Sequence, residues 1–509
     1  MARKTWMTRA AGVLLPVSSL PSKYGIGTFG QAARDWVDFL ARAKQRYWQV
    51  LPMGPTSFGD SPYQSYSAFA GNPLFIDLEL LCRKGLLKKG RCKRTDWGAD
   101  RSYVDYDTVR AGREKLLRKA FENFTDQKAL ARFRKQNKSW VEDYALYMAL
   151  KGRMEGRPWM EWEEGLRLRD PKVLDVWKER CKEDVDYHVF TQYLFFQQWG
   201  DLKKYANEKG VRVIGDAPIY VAMDSADVWA QPQLFQLDEN NLPTEVAGCP
   251  PDAFSEDGQL WGNPLYRWDE MAKDGYSWWI QRIKANLFMY DVLRIDHFRG
   301  LESYYAIPYG DDTARNGRWR KGPGMNFIRK INESVENAAI IAEDLGLLTP
   351  AVYRLLKSSG YPGMKVLQFA FSAGEESTYL PHNLPTHCVV YTGTHDNDTV
   401  RGWLDTASPA DLKLALDYLG LEDAKDGNWA FIRAALGSVA DLAVIPLQDY
   451  LNLGSEARMN IPSTVGGINW RWRCPKDCTT KKLAKKMARL TTIYGRARET
   501  GGKKDAHAG

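Results

Sequence analysis

Eight short apolar runs of five or six residues, each followed by a polar or Gly/Pro-rich segment, punctuate this chain: Gly12 to Val17, Trp48 to Pro52, Val211 to Asp216, Asp291 to Asp296, Ala339 to Asp344, Met364 to Phe369, Cys388 to Thr392 and Leu442 to Leu447. Runs of that length suit strands buried on both faces and are too short for helices. Helical periodicity fills segments between them, at Gln31 to Lys44, Tyr187 to Lys209, Trp278 to Phe288, Phe327 to Val335, Pro350 to Ser358 and Pro409 to Leu419. Alternating strand and helix imply a parallel sheet. Eight repeats close as an α/β fold of the (β/α)8, or TIM, barrel type, with a doubly wound open sheet as the structural alternative. A barrel takes about 250 residues, so in a chain of 509 about half lies in insertions.

Three regions stand apart within what reads as a single barrel over 1–509. Leu78 to Asp186 is rich in Lys, Arg and Glu and contains Arg113 to Phe121, which predicts a mainly helical insertion with its charges on a solvated face. Trp229 to Asp269 is rich in Pro, Gly, Asn and aromatics without periodicity and reads as a long ordered loop, hence a functional suspect. Residues 475–509 hold ten Lys/Arg against three Asp/Glu, so this basic C-terminal helix and tail supplies seven of the net eight positive charges. The body is then near neutral, which argues against nucleic-acid binding. About 60 residues follow the last strand and many read as helix, so no separate C-terminal β-sandwich is expected.

The seven cysteines are odd in number and mostly far apart, which argues against a disulfide framework and for a reducing, cytoplasmic setting. Cys474 and Cys478 are close but lack a second Cys pair or a His at ligand spacing, so they read as two free thiols and no metal is expected. Arg3, Lys4 and Arg9 precede the apolar stretch Ala10 to Val17 in a faint signal-peptide pattern, but Pro16 and the Ser/Pro/Gly segment after it favour a first core strand. No apolar run approaches the ~20 residues of a membrane span, and neither GxxxxGK[ST] nor GxGxxG occurs.

The strand ends carry the chemistry. The third ends Gly215-Asp216, the fourth Arg294-Ile295-Asp296-His297, the fifth Glu343-Asp344, and the seventh leads into Thr394-His395-Asp396-Asn397-Asp398. In a barrel these ends share one face, so carboxylates from several strands converge on one mouth. Singly each has a plain reading, as a helix cap, a turn residue or a core histidine. Together they fit divalent-metal hydrolysis or glycosyl chemistry. Arg294 separates the two: a cation beside Asp296 orients a nucleophilic carboxylate and repels a metal ion. Tyr63, Tyr66, Trp229 and Trp261 lie in loops where aromatic faces can stack on sugar rings, although most of the 19 Trp and 25 Tyr belong in the core.

Arg294 to Gly300, Glu343 to Gly346 and Gly393 to Asn397 resemble α-amylase superfamily signatures in the form used by amylomaltases, the 4-α-glucanotransferases. Ser19-Leu20-Pro21 with Gly25-Ile26-Gly27, Gly59 to Gln64, Gly215 to Val221, Gly258 to Pro264 and Gly454 to Asn460 extend the resemblance, in order, from residue 11 to 473. The resemblance implies Asp296 as nucleophile, Glu343 as general acid/base and Asp396 as a third carboxylate that holds sugar hydroxyls. It implies Arg294 as the group orienting Asp296, His395 and Asp216 as donor-glucose ligands, and Tyr63, Gln259, Trp261 and Asn460 as glucan contacts. The expected activity is retaining transfer of α-1,4-glucan segments between maltooligosaccharides and glucans, with glucose or maltose as acceptors, no cofactor, no metal, and no nucleic-acid or membrane partner; no motif fixes an oligomeric state. An α-glucan hydrolase on the same barrel and a non-catalytic glucan-binding protein are the rivals. Departures occur at Leu14 to Pro21, where relatives commonly carry His-Pro-Thr-Ser, and at Cys249, an aliphatic position in the family.

Overall fold

The eight apolar runs form the eight parallel strands of one sheet in the computed structural model, which describes residues 6–497 apart from 252–254, 347, 373 and 375–376. They are β1 (Ala10–Leu14), β2 (Tyr47–Gln49), β3 (Arg212–Pro218), β4 (Val292–Asp296), β5 (Ile340–Ala342), β6 (Gly363–Val366), β7 (Cys388–Tyr391) and β8 (Leu442–Pro446), in the spatial order β6-β7-β8-β1-β2-β3-β4-β5. The two ends meet where the Ala342 N–H donates to the Pro362 carbonyl at 2.9 Å, so the sheet is a nearly closed barrel, not an open one. Its interior is filled by alternate residues of successive strands, among them Leu14, Tyr47, Ile214, Val292, Ile341, Val366, Val389 and Val444. The residues between them, such as Val13, Trp48, Val213, Leu293 and Ile340, face the helices. Burial on both faces is why each run reads as continuously apolar.

Helices Gln31–Arg42, Ser277–Met289, Gly324–Ser334 and Pro350–Ser359 cover the sheet close to where periodicity predicts them. Between β6 and β7 only the short 3-10 turns Leu367–Phe369 and Pro381–Asn383 are present among the described residues. The chain between β2 and β3 contains helices Tyr106–Glu122, Gln127–Gln136 and Val141–Arg153 and ends in the 27-residue helix Lys182–Glu208. Arg113 does not lie on a solvated face there. It is fully buried, donates to the Ile76 carbonyl at 2.7 Å and stacks over Trp97.

Trp229 to Asp269 contains paired strands where its aperiodicity predicts only a long ordered loop. Strands Glu245–Cys249 and Gln259–Pro264 pair antiparallel, and with Ser303–Pro308 and Arg318–Lys321 they build a four-stranded sheet at the barrel mouth. The register shifts between Val246 and Gly248, and a Cβ on Gly248 would stand 2.1 Å from the Gln259 carbonyl oxygen. A bulge that needs glycine erases the alternation by which a strand is read from sequence. Trp229 is buried, with its indole N–H on the Leu166 carbonyl, so it is core.

At the C-terminus Cys474 and Cys478 are joined as a disulfide, which corrects the reading of two free thiols. The turn in which the Cys478 N–H donates to the Pro475 carbonyl brings their Cα atoms to 6.4 Å, within bridging range. Helix Lys481–Ile493 follows, with Ala484, Met487, Leu490 and Thr491 buried and its lysines outward. Gly501, Gly502, Lys503 and Lys504 of the basic tail, and Arg3 and Lys4 at the start, lie outside the described residues. Among the described residues no helix is long and apolar enough to cross a membrane.

Candidate active site

The register of β3 on β4 sets Asp216 opposite Arg294, and the two-residue period of β4 turns Val292, Arg294 and Asp296 to one side. The buried Arg294 guanidinium uses a single nitrogen, Nη1, to reach Asp216 Oδ2 at 2.7 Å and Asp296 Oδ1 at 2.8 Å. Burial alone would lower its pKa, but the two carboxylates hold it well above the ordinary arginine value. Tyr63 adds its hydroxyl, which donates to Asp216 Oδ2 at 2.8 Å. On the opposite face of β3, Gly215 makes room for Tyr290, since a Cβ there would sit 2.0 Å from its ring.

Glu343 follows β5 and reaches across to β4. Its Oε2 accepts from the His297 N–H at 2.7 Å and its Oε1 from the Leu345 N–H at 2.8 Å. The first donor is aimed by a left-handed His297, φ 54°, a conformation uncommon outside glycine and frequent at functional sites. Burial and then the neighbouring Asp296 charge push the Glu343 carboxyl up to about 7, against the pull of Arg294 and the two amides. It can therefore hold or release a proton near neutrality.

The segment after β7 supplies His395 and Asp396. His395 Nε2 lies 3.2 Å from Asp396 Oδ2, and the Asn460 side-chain amide donates to Oδ1 at 2.6 Å. Burial would raise the Asp396 carboxyl, but His395 and Asn460 outweigh it and draw it down to about 2. Burial likewise opposes a charged His395, and Asp396 outweighs that, so the imidazole pKa rises. The Tyr63 ring stacks on His395 at 5.0 Å between centroids and 14° between planes, which joins the Asp216 and Asp396 clusters.

A cleft of about 690 Å³ opens over these groups, lined by Tyr63, Gln259, Trp261, Asp296, His395, Asp396 and Asn460. Gln259 and Trp261 lie on the mouth sheet, where the Trp261 indole N–H donates to Gln259 Oε1 at 3.0 Å and the ring meets His297 edge-on at 4.8 Å. The acidic, His, Arg and amide residues singled out from sequence, with Tyr63 and Trp261, are thus brought to one place, with Asp216 and Arg294 buried beneath; Tyr66 is not among them and packs on Tyr147 in a separate hollow. Asn460 contacts Asp396 itself. Sequence reading missed Phe58, Trp470 and Val465, which also line the cleft, and Arg458, whose guanidinium donates to the Asp396 main-chain carbonyl at 2.7 Å. Phe58 adjoins the Gly59 to Gln64 motif, a signal that could have found it; Trp470, far from any strand end, carried none. Among the described residues no group of three or more His, Cys, Asp or Glu is placed to hold a metal ion.

The chain as a whole is similar to known proteins. The family model for 4-alpha-glucanotransferase matches residues 15–479. A 4-alpha-glucanotransferase of Clostridium butyricum is 50% identical over 484 residues, covering 94% of this chain and 99% of that protein. One from Thermus thermophilus is 50% identical over 480 residues, covering 92% and 95%. The solved amylomaltase from Streptococcus agalactiae in complex with acarbose superposes with a TM-score of 0.94 at 40% identity, covering 96% of this chain and all of that one.

Proposed function

The chain belongs to the 4-alpha-glucanotransferase family, and from that premise we propose that Asp296, Glu343 and Asp396 carry a retaining double displacement on α-1,4-glucans. The protein is a transglycosylase acting on glucans and maltooligosaccharides. Asp296 attacks the anomeric carbon to give a β-glucosyl ester while the protonated Glu343 donates to the departing oxygen. Glu343, now ionised, takes the proton of an incoming glucan 4-hydroxyl, which opens the ester and restores the α-linkage. Asp396 and His395 hold hydroxyls of the donor glucose, and Arg294, fixed by Asp216, orients Asp296. Trp261, Gln259 and Tyr63 are the glucan contacts lining the cleft, and covering the ester with an acceptor in place favours transfer over water.

The observation that carries this reading is the pairing of a carboxylate locked on Arg294 with a second carboxyl raised to about 7, since one must attack while the other delivers a proton. The same assignment takes 78–186 as a helical insertion beside the catalytic barrel, 229–269 as a wall of the cleft, and 475–509 as a basic helix and tail. A cytoplasmic setting rests on the five cysteines that remain thiols, Cys82, Cys92, Cys181, Cys249 and Cys388, against the one local disulfide Cys474–Cys478.

The roles are tested with α-glucosyl fluoride, whose leaving group needs no proton. Glu343→Gln should react with it and accumulate an enzyme heavier by one glucosyl residue, on the peptide that contains Asp296. A label on any other residue, or a Glu343→Gln enzyme as active on maltotriose as the wild type, would refute the assignment.

A further inference from the structure

Arg458 makes no salt bridge to any described carboxylate; two nitrogens of its guanidinium are instead engaged by main-chain carbonyls. Its Nη2 donates to the main-chain carbonyl of Asp396 at 2.7 Å and its Nε to the main-chain carbonyl of Asn460 at 2.7 Å. Asn460 is in turn the residue whose amide holds Asp396 Oδ1 at 2.6 Å. One planar fork therefore fixes both ends of the Asn460–Asp396 hydrogen bond, across 62 positions of sequence. A second stitch, from the Ser455 hydroxyl to Asp398 Oδ2 at 2.6 Å, ties the same two segments two residues further on.

Neither segment has regular structure at this point, so no helix or sheet ladder dictates the separation of Asp396 from Asn460. Arg458 sits outside the lining of the cleft and so acts on substrate only through other groups. Resting on the transfer reaction assigned above, we propose that Arg458 is a positioning residue that sets the placement of the Asp396 carboxylate for the strained sugar of the transition state. The effect falls on turnover more than on ground-state affinity, because a carboxylate displaced by a fraction of an ångström still meets a relaxed sugar. Lysine cannot reproduce the role fully, since an ammonium lacks the flat fork that serves two carbonyls at once.

The test compares wild type, Arg458→Gln, Arg458→Lys, Asn460→Ala and the Arg458→Gln/Asn460→Ala double variant in maltotriose disproportionation, with folded fraction and thermal midpoint measured for each. We expect Arg458→Gln to lower kcat about 10- to 100-fold with KM within about threefold, to move the acid limb of kcat/KM to higher pH, and to be partly rescued by Lys. The double variant should be no slower than the slower single variant, because both act on one carboxylate. A kcat per folded molecule equal to wild type, or losses that multiply in the double variant, would overturn the proposal. Should Arg458→Gln fail to fold, Arg458→Lys, which keeps the charge, carries the same kcat and pH readouts. A wild-type protein that makes no longer oligosaccharides would overturn the transfer reading itself, whereas an active wild type with unaffected variants would overturn only the role of Arg458.

Discussion

The Glu343 carboxyl is raised first by burial and then by the neighbouring Asp296 charge, against the pull of Arg294. Because its carboxyl is raised to about 7, the proton needed by the first step is present below that pH and lost above it. The rate of that step should fall about tenfold per unit as pH rises beyond 7, and a pH profile of kcat/KM checks it. Stability has a linked sign. Below the unfolded carboxyl's value both states are protonated and the site costs nothing. Between that value and 7 the unfolded chain ionises while the folded one resists, and the penalty is complete above 7. Glu343→Gln, whose amide nitrogen cannot accept from one of the two N–H groups, should therefore be about 1–3 kcal/mol more favourable at pH 8 than at pH 4 relative to wild type, as urea unfolding at the two pH values would report. Equal effects at both pH values would show that burial does not set this carboxyl.

The element that decides the geometry of Asp396 is the turn after β7, held from below by Asp449. This buried carboxylate accepts from the Thr392 hydroxyl and, at 2.8 Å, from the Val400 N–H. Burial pushes it up to about 6, so it is charged at neutral pH at some cost. Asparagine can keep both contacts, with its carbonyl on Val400 and its amide on Thr392. Asp449→Asn should thus stay folded with activity within a few-fold, while Asp449→Leu, which strands a buried N–H, should lose about 2–4 kcal/mol and most of its turnover. If the two variants behave alike, the turn is held by something else. This element also marks where sequence reading stops. The β-strands were legible because both faces are buried, and the carboxylates because they follow those strands within two residues. Asp449 and Arg458 act through contacts 49 and 62 positions away, which no local pattern encodes, and Asn460, named from its motif as a glucan contact, bonds Asp396 64 positions away, a partner the motif does not reveal. Arg318–Lys321, four residues of which three are basic, pairs as a strand only because Ser303–Pro308 offers it an edge.

Across the whole molecule, one end of the barrel is sealed by two arginines far apart in sequence, Arg9 and Arg496. Arg496, fully buried, donates to the carbonyls of Ala10, Leu436, Ser438 and Ala440, and Arg9 donates to Ser438, Leu436 and Tyr494. These bonds join the start of β1, the carbonyl end of helix Gly427–Gly437 and the chain beyond helix Lys481–Ile493. Burial lowers Arg496 to about 9, which still leaves it cationic at neutral pH. What composition reads as part of a solvated basic tail is therefore a clasp: Arg496→Ala should cost about 3–5 kcal/mol, seen as a lower urea midpoint with unchanged slope, whereas Lys482→Ala on the exposed face should cost under about 0.5 kcal/mol. The clasp supports a barrel whose purpose lies at its opposite end, where the strand termini gather three carboxylates. The most direct measurement of that purpose is incubation of the purified protein with maltotriose alone, following free glucose and product length together. Transfer through Asp296 and Glu343 predicts glucose together with maltopentaose and longer chains, both abolished by Asp296→Asn; equal maltose and glucose with nothing longer, or a ladder that survives Asp296→Asn, would contradict it.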